Sequence, residues 1–371
     1  MDFTFTEEQE TIAKLGRDTF ERRATPERLA ELEAGETRYD AALWAELAAA
    51  DLLGTALPEA VGGNGGGFVE LGVLLAEVGF SVAPVPAYAT LVLGADPIAR
   101  HGTAEQQRRF LPSVVAGTHI LSAGLQEPGR SDPTRPSTKA LRDGPNWRLD
   151  GAKELVPAAQ LADTILVPAC TDDGDAGLFL LPTDARGVEI RPVATTNREP
   201  HADVFLDGAT VSADDRLAGP IDSLHTRALV GLCAIQLGVA ERALRIAADY
   251  TTGREQFGRP IGSFQAVQQR LADAFIDVEA IRWTTWHAAW LVARGRPPEE
   301  AQRAARIAKF WAAEAGARVA ATAQQVHGGI GIDVTYPLHR YFLWAKHNEL
   351  ALGPATAQLA SIGSTYSEGN R

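Results

Sequence analysis

The sequence predicts an α+β fold with three consecutive parts: an α-helical N-terminal domain (1–120), a middle β-barrel or sandwich (121–220) and a C-terminal four-helix bundle (221–371). The first and last parts carry apolar residues at every third or fourth position, which is the period of an amphipathic helix. The middle part changes to short β-rich runs separated by glycine, proline and aspartate. With 371 residues the chain is also long for one hydrophobic core, which favours two or three subdomains.

In the N-terminal domain, Thr6 followed by Gln9 predicts a capping box, in which each side chain bonds the other residue's backbone amide. Further helices are expected near residues 41–50, 68–80 and 103–116. The stretch "GGNGGG" at residues 62–67 lacks the Lys-Ser/Thr pair of a P-loop and follows no predicted strand. We therefore interpret it as a flexible loop and not as a phosphate cradle.

Four β-rich runs predict strands in the middle domain: "DTILVPAC", "GLFLLP", "GVEIRPV" and "DVFLDGATV". Asp150-Gly151, Asp207-Gly208 and proline-rich segments punctuate this region and are expected to form its turns. In the C-terminal part, two apolar repeats that begin at Ala228 and Phe264 predict the first two bundle helices. A third helix is predicted over 300–326 and a fourth after Pro337.

The composition excludes several classes of function. A formal net charge of −12, without a block of five like charges, argues against a nucleic-acid partner and against a membrane surface. The two cysteines form no CxxC pair, the eight histidines show no metal-ligand spacing, and no metal site is predicted. The first residues lack a basic segment followed by an apolar one, so no signal peptide is expected, and we expect a cytoplasmic protein.

One stretch combines a cation with aromatic rings at a corner of the predicted bundle. In "YTTGREQFGRPIGSFQ", Arg254 ends one helix, Gly258 and Pro260 force a turn, and Phe264 starts the next helix. An arginine fork and a stacking ring suit a ligand that bears both a phosphate and a planar base. A second stretch, "QVHGGIGIDVTYP", contains paired glycines that let the backbone approach a ligand closely.

Together with "FTEEQ", "PEAVGGNGGG", "HGTAEQQRRFLPSVVAG" and "LQEPGRSD", these stretches resemble the acyl-CoA dehydrogenase family of flavoenzymes over nearly the whole chain. The resemblance implies the same three domains, assembly as dimers or tetramers, FAD as cofactor and α,β-dehydrogenation of an acyl-CoA thioester. In that reaction a glutamate removes the α-proton and the β-hydrogen leaves as hydride to the flavin. It also implies a role in lipid metabolism, in the degradation of fatty acids or steroids.

In this family each flavin lies across a subunit boundary, and the neighbouring chain grips its adenine-diphosphate end with an Arg-x-x-Phe-Gly turn and a Gln-x-x-Gly-Gly loop. Both elements are intact in this sequence. The resemblance therefore implies cofactor-binding roles for Arg254, Phe257, Phe264, Gln265, Gln325, Gly328 and Gly329.

The half-site that holds the flavin ring departs from the family pattern. Residues 126–132 are one residue shorter than Thr-Glu-Pro-Gly-x-Gly-Ser-Asp, and Arg130 takes the place of the second glycine. Where the family has Trp-Ile-Thr, this chain has Leu155, Val156 and Pro157. Proline offers neither a hydroxyl nor an amide hydrogen to the flavin edge.

The catalytic glutamate is also missing. The family's Glu-Gly pair falls on Leu352 and Gly353, and the position used by other members is Ala228, so we predict no catalytic residue in this chain. Glu349, one helical turn before Leu352, is an alternative base. Arg227 is expected either to meet a phosphate of CoA or to be an exposed arginine of the bundle.

The favoured hypothesis is a non-catalytic subunit of a heteromeric acyl-CoA dehydrogenase. It would complete the FAD site of a homologous partner that carries the glutamate, with one FAD per two chains and an acyl-CoA as substrate. The alternatives are a self-sufficient flavoenzyme that uses Glu349, and a scaffold or binding protein of the same fold without flavin. By resemblance alone, a bulky acyl chain such as a steroid side chain is expected.

Overall fold

The computed structural model describes residues 4–130 and 132–368. Its N-terminal part is helical, and a π-helical segment, Tyr88–Ala95, runs directly into the fifth helix. The helices of this part are α1 (Glu7–Arg23), α2 (Pro26–Glu33), α3 (Ala41–Ala49), α4 (Phe68–Ser81), α5 (Asp96–His101) and α6 (Ala104–Val115).

The predicted capping box at the start of α1 is confirmed. The Gln9 amide donates to Thr6 Oγ1 at 3.3 Å, and the Thr6 amide donates to Gln9 Oε1 at 3.0 Å. Thr103 and Gln106 form the same pair of bonds at the start of α6. Each capping box satisfies two backbone amides that have no partner within the helix, so the sequence signature locates the starts of α1 and α6 closely.

The glycine-rich loop at residues 62–67 is hydrogen-bonded throughout, so the prediction of a flexible loop was wrong. Each of its backbone amides donates to a protein oxygen, as when Gly63 bonds the Pro58 carbonyl at 3.0 Å and Gly67 bonds Glu70 Oε2 at 2.7 Å. A Cβ atom at Gly63 would lie 2.2 Å from the Leu57 carbonyl oxygen. The glycines therefore permit close backbone packing, and no amide of the loop is left for a phosphate.

The middle part forms a mixed eight-stranded sheet in the described residues. Its strands are β1 (Leu121–Ala123), β2 (Lys139–Asp143), β3 (Asn146–Pro157), β4 (Thr164–Thr171), β5 (Ala176–Pro182), β6 (Val188–Val193), β7 (His201–Ser212) and β8 (Arg216–Leu217). The order is β6-β7-β3-β2-β4-β5-β8, and β1 pairs with β4 in parallel. The four predicted β-rich runs correspond to β4, β5, β6 and β7. Trp147 and Phe179 lie in the buried core of this sheet domain.

The two Asp-Gly pairs are not turns, because both lie inside long strands. The ladder between β3 and β7 shifts register next to Gly151, and the Gly208 amide donates to Asp150 Oδ1 at 2.8 Å. Gly208 has a φ of 66°, which glycine adopts at little cost. The glycines therefore lie where the paired strands bend and shift register. Sequence spacing alone does not distinguish this role from that of a hairpin turn.

The C-terminal part is a helical bundle, as predicted. It contains α7 (Ile221–Gly253), a short hairpin of β9 (Glu255–Gln256) and β10 (Arg259–Pro260), α8 (Gln265–Ala293), α9 (Pro298–His327), α10 (Leu338–Leu350) and α11 (Ala355–Glu368). The alanine-rich α9 packs against α8, α10 and α11. The predicted fourth helix is broken in two, because Leu352 and Gly353 adopt left-handed φ values of 55° and 96° before Pro354.

Two compact units account for the packing of the chain. One contains residues 1–28, 72–83 and 229–371, and the other contains residues 29–71 and 84–228. In the first unit a Cβ atom at Gly238 would lie 1.9 Å from the Ala76 carbonyl oxygen, so glycine lets α4 and α7 cross closely. Among the described helices, none combines the length and the apolar character needed to cross a membrane.

Candidate functional site

The first predicted site element is the two-residue turn between β9 and β10. Phe257 and Gly258 both adopt left-handed conformations, with φ values of 57° and 77°, which is the pattern of a type I′ turn. The Ile261 amide donates to the Arg254 carbonyl at 2.7 Å and closes the base of this hairpin. The turn holds the Phe257 side chain 93% exposed, in a backbone conformation that disfavours residues with a Cβ atom.

Aromatic and cationic side chains are layered on this hairpin. The ring of Phe264 lies edge-on to that of Phe257, with 6.2 Å between centroids, and the Arg259 guanidinium lies 4.2 Å from the Phe264 centroid. Arg254 is exposed, and its side chain makes no hydrogen bond or ion pair with the residues that the structure describes. Its guanidinium can therefore bind an external anion without first breaking an internal bond. The contribution of Arg259 was not predicted from the sequence.

The second site element is the loop that follows α9. Gly328 has a φ of 62° and a ψ of −140°, a combination restricted almost entirely to glycine. Gly328 and Gly329 are exposed, and within the described residues no atom lies within 4 Å of a Cβ built at either position. Gln265 and Gln325 are exposed as well. The backbone of this loop is thus open to close approach by a ligand.

The turn and the loop are brought together by two stacked rings. Tyr250, whose carbonyl accepts the Arg254 amide at 2.9 Å, stacks on His327, the residue before Gly328, with 4.2 Å between ring centroids. The predicted residues of the two elements, which lie 60 to 75 positions apart in the sequence, therefore belong to one corner of the bundle. The stack itself was missed: both rings lie within the two quoted stretches, but no role was predicted for either.

The predicted ring-binding residues Leu155 and Pro157 lie in the second compact unit, which contains residues 84–228, and they offer no hydrogen-bond donor to a ligand. Leu155 is 38% exposed with a φ of 51°, and its amide donates to Asp203 Oδ1 at 3.0 Å. The Pro157 carbonyl accepts the Ser122 hydroxyl at 2.5 Å. Ser131, a further residue of the altered motif, lies outside the described residues. Proline at 157 and an occupied amide at 155 leave these positions with no hydrogen to offer a ligand.

A buried ion pair nonetheless holds this segment in place. Lys153 Nζ lies 2.5 Å from Glu127 Oε1, and the two side chains are 0% and 3% exposed. Burial disfavours the carboxylate, but hydrogen bonds from Lys153, Ser137 and Thr138 outweigh burial and lower the pKa of Glu127 to about 2. Burial lowers the pKa of Lys153 to about 8, so both groups are charged between these values. The segment therefore keeps its own folded structure, although positions 155 and 157 offer no donor to a ligand.

The turn at Leu352 keeps a fixed backbone without a base. Gln358 Nε2 donates to the Leu352 carbonyl at 3.0 Å and to the Gly353 carbonyl at 3.2 Å. The buried Lys309 donates to the carbonyls of Asn348 and Glu349 at 3.0 and 3.1 Å, at the C-terminal end of α10. Since leucine has no acid–base chemistry, this turn presents only an apolar side chain.

The other candidate groups are occupied within the chain. The Glu349 carboxylate forms an ion pair with Lys346. Ala228 is fully buried, and its carbonyl accepts the Tyr88 hydroxyl at 3.0 Å. Arg227 is 4% exposed and pairs with Asp96 at 2.7 Å, so both expectations for it, a contact with CoA phosphate and an exposed position, were wrong. Its partner lies 131 positions earlier in the chain and has no local sequence signal.

The chain belongs to the acyl-CoA dehydrogenase family. The family's N-terminal domain matches residues 6–118, its middle domain matches 123–209 and its C-terminal domain matches 224–366. Members of this family are FAD-binding flavoproteins.

Relatives in Mycobacterium tuberculosis match over the whole length. Acyl-CoA dehydrogenase FadE27 is 42% identical, and FadE28 is 32% identical, each over 99% of both chains. A chain of the ChsE4-ChsE5 complex from Mycobacterium tuberculosis is 42% identical over 99% of both chains, with a TM-score of 0.94. A chain of the Tcur3481-Tcur3483 steroid ACAD is 45% identical over 98% of this chain and 99% of that one, with a TM-score of 0.93.

The two predicted half-sites offer different chemical groups. At the corner built by the Arg254 turn and the Gly328 loop, an unengaged guanidinium, the exposed ring of Phe257 and an open glycine backbone are groups that can bind a diphosphate and a planar base. Leu155 and Pro157 offer no donor, because the Leu155 amide is occupied by Asp203 and proline has no amide hydrogen. The two half-sites of this chain therefore differ in what they can bind.

Proposed function

We propose that this chain is the non-catalytic subunit of a heteromeric acyl-CoA dehydrogenase and that it completes the FAD site of a homologous partner chain. The partner supplies the glutamate that removes the α-proton, the surroundings of the flavin ring and the acyl-CoA pocket. FAD supplies the hydride acceptor when bound. This chain binds and orients the adenine-diphosphate end of the cofactor.

The observation that carries the proposal is the difference between the two half-sites. Arg254 is exposed in the same hairpin as Phe257, while Leu352, which the resemblance aligns with the family's base, carries no acid–base group. A self-sufficient enzyme needs both half-sites, whereas a chain that serves only a partner's flavin needs only the half-site that binds the adenine-diphosphate end. We call this half-site, built by the Arg254 turn and the Gly328 loop, the gripping corner. In this assignment Arg254 contacts the diphosphate, Phe257 and Phe264 pack on the adenine, and the Gly328-Gly329 backbone lies against the cofactor.

The kind of partner follows from the relatives and from the surface. The names of the ChsE4-ChsE5 complex and of the Tcur3481-Tcur3483 ACAD each join two different chains, and the second is a steroid ACAD. Large apolar side chains are exposed around the gripping corner, with Phe257 at 93%, Ile332 at 73% and Val334 at 65%. Such a surface is costly in water and favours cover by another chain. We infer a homologous partner and a bulky acyl-CoA substrate such as a steroid-derived thioester.

The first test is to purify the chain alone and together with a homologous chain that carries the glutamate, and to measure FAD by absorbance. We expect one FAD per two chains in the complex and almost none in the isolated chain. Stoichiometric FAD and full dehydrogenase activity in the isolated chain would overturn the proposal.

The second test replaces Arg254 by alanine in the assembled complex. Loss of a charge-assisted hydrogen bond costs about 1.5 to 3 kcal/mol, so the dissociation constant of FAD should rise by about 10- to 150-fold. Arg303→Ala is a matched control, because Arg303 is also exposed but lies 24 residues before His327, about 36 Å along α9. Equal FAD affinity in the two variants would mean that this corner does not bind FAD and would favour a scaffold role for this chain.

A further inference from the structure

Three aromatic side chains under the gripping corner come from three different segments. Tyr250 lies in the last turns of α7, His327 is the last residue of α9, and Tyr336 lies in the loop that leads into α10. Tyr250 and His327 stack with an interplanar angle of 21°, and Tyr336 lies 5.2 Å from His327 and 6.4 Å from Tyr250, centroid to centroid. We call these three residues the aromatic cluster.

Hydrogen bonds fix the central imidazole of the cluster. His327 is 5% exposed, with Nδ1 at 2.8 Å from the Ala323 carbonyl oxygen and Nε2 at 3.1 Å from the Tyr336 hydroxyl oxygen. Because a carbonyl can only accept, Nδ1 carries the hydrogen and Nε2 accepts the hydrogen of Tyr336. Burial lowers the pKa of His327, which also favours this neutral form. Both ring nitrogens are thus used, and the ring has one orientation.

The cluster connects the two elements that would grip the cofactor. The Tyr250 carbonyl bonds the Arg254 amide, so the ring of Tyr250 lies one helical turn before that arginine. The His327 ring immediately precedes Gly328, whose amide caps the end of α9 by donating to the carbonyls of Gln324 and Gln325. A shift of the imidazole therefore changes the distance between the arginine turn and the glycine loop. None of the three side chains needs to touch the ligand to have this effect.

We propose that Tyr250, His327 and Tyr336 are positioning residues that hold the arginine turn and the glycine loop at the spacing required by the adenine-diphosphate end of FAD. This inference rests on the proposed function, because it concerns the same half-site. It assigns a role to residues of the two quoted stretches that were not predicted to bind the cofactor. The dipeptide Tyr336-Pro337 and the histidine before the glycine pair acquire a physical reason for their places in the sequence.

The test changes single side chains of the cluster and measures FAD binding to the assembled complex by fluorescence titration. Tyr336→Phe keeps the ring and removes only the hydroxyl, so the dissociation constant of FAD should rise about five- to tenfold. His327→Phe keeps the stack and loses both hydrogen bonds, and its effect should be larger. The double variant should bind FAD no more weakly than His327→Phe, because the Tyr336 hydroxyl has already lost its acceptor.

Tyr341→Phe is the matched control within the same unit. The Tyr341 hydroxyl donates to the Phe80 carbonyl at 2.9 Å, so this variant also loses one buried hydroxyl bond. Its melting temperature should fall as that of Tyr336→Phe does, whereas its FAD affinity should stay within twofold of the wild-type value. If FAD binding weakens in the cluster variants but not in Tyr341→Phe, the positioning role is supported, because a general loss of stability would weaken binding in the cluster variants and in the control.

Arg254→Ala, measured in parallel, separates the two levels of the proposal. If Arg254→Ala weakens FAD binding while Tyr336→Phe and His327→Phe bind as the wild type does, the positioning role is refuted and the proposed function stands. If Arg254→Ala has no effect, the half-site does not bind FAD, and both the proposed function and the positioning role fall.

Discussion

Replacement of Lys153 by methionine should destabilise the sheet domain strongly. Lys153 is 1% exposed and donates to Glu127 Oε1 and, at 2.7 Å, to the Pro168 carbonyl. Methionine fills a similar volume but leaves the Glu127 carboxylate buried without its counter-ion. The bonds from Ser137 and Thr138 remain, so the carboxylate is only partly compensated.

The magnitude follows from the burial of the pair. At pH 7 both groups are charged, since the pKa of Glu127 is about 2 and that of Lys153 is about 8. Removal of one partner from a buried pair typically costs about 3 to 5 kcal/mol. We therefore expect Lys153→Met to lower the free energy of unfolding by about 3 kcal/mol at pH 7.

The assay is urea unfolding at several pH values, followed by circular dichroism. Because the folded pKa of Glu127 is depressed, its contribution is present above about pH 4.5 and is lost as the pH falls towards 2. The difference between wild type and Lys153→Met should therefore be full at pH 7 and should shrink below pH 4.5. The double variant Glu127→Gln with Lys153→Met should recover part of the loss, since no buried charge remains.

Two results would refute this reasoning. One is a loss of less than about 1 kcal/mol at pH 7, which would mean that the pair contributes no more than a surface pair does. The other is a difference that stays constant from pH 7 to pH 3, which would mean that the charge of Glu127 is not its source.

Three further predictions concern the base position and the bundle. Leu352→Glu should leave the isolated chain inactive in an acyl-CoA-dependent dye-reduction assay, because the segment around Pro157 still lacks flavin donors; measurable turnover would contradict this. Glu349→Gln should leave kcat of the complex unchanged, since that carboxylate pairs with Lys346, and a tenfold or larger drop would instead identify Glu349 as the base. Gly316→Ala should destabilise the bundle by about 1 to 3 kcal/mol in thermal unfolding, because its Cβ would lie 2.1 Å from Nε2 of Gln236, a buried side chain that Asn348 holds by a hydrogen bond to Oε1. Gly253→Ala, with no described atom within 4 Å of its Cβ, should be neutral, and the reverse order of the two effects would be inconsistent with this packing.

The sequence predicted elements whose signals are local. Helices α3, α4 and α6 were expected close to their observed positions, and the capping box of α1 is a contact between neighbours in the chain. The π-helical segment Tyr88–Ala95 was missed, because its residues from Ala89 onward are all buried and show no amphipathic period. Strands β2 and β3 were missed because charged residues and Gly151 interrupt their apolar pattern.

The candidate site divides in the same way. Arg254 and the glycine pair were predicted from contiguous motifs, and both lie in one exposed corner. The burial of Arg227 and the stacking of His327 on Tyr250 depend on residues far away in the chain, so no local pattern announces them. Sequence can thus predict which groups face a ligand more easily than what holds those groups in place.

The composition of the first compact unit has a consequence for synthesis. This unit joins residues 1–28 and 72–83 to residues 229–371, so α1 and most of α4 share a unit with the helices that are synthesised last. Arg17 of α1 pairs with Glu77 of α4 at 2.7 Å, and α4 in turn crosses α7 closely at Gly238. Until the ribosome has made α7, the face of α4 that meets it stays available to chaperones or to aggregation. The two N-terminal helices can pair early, but their unit is completed only when the C-terminal helices have been made.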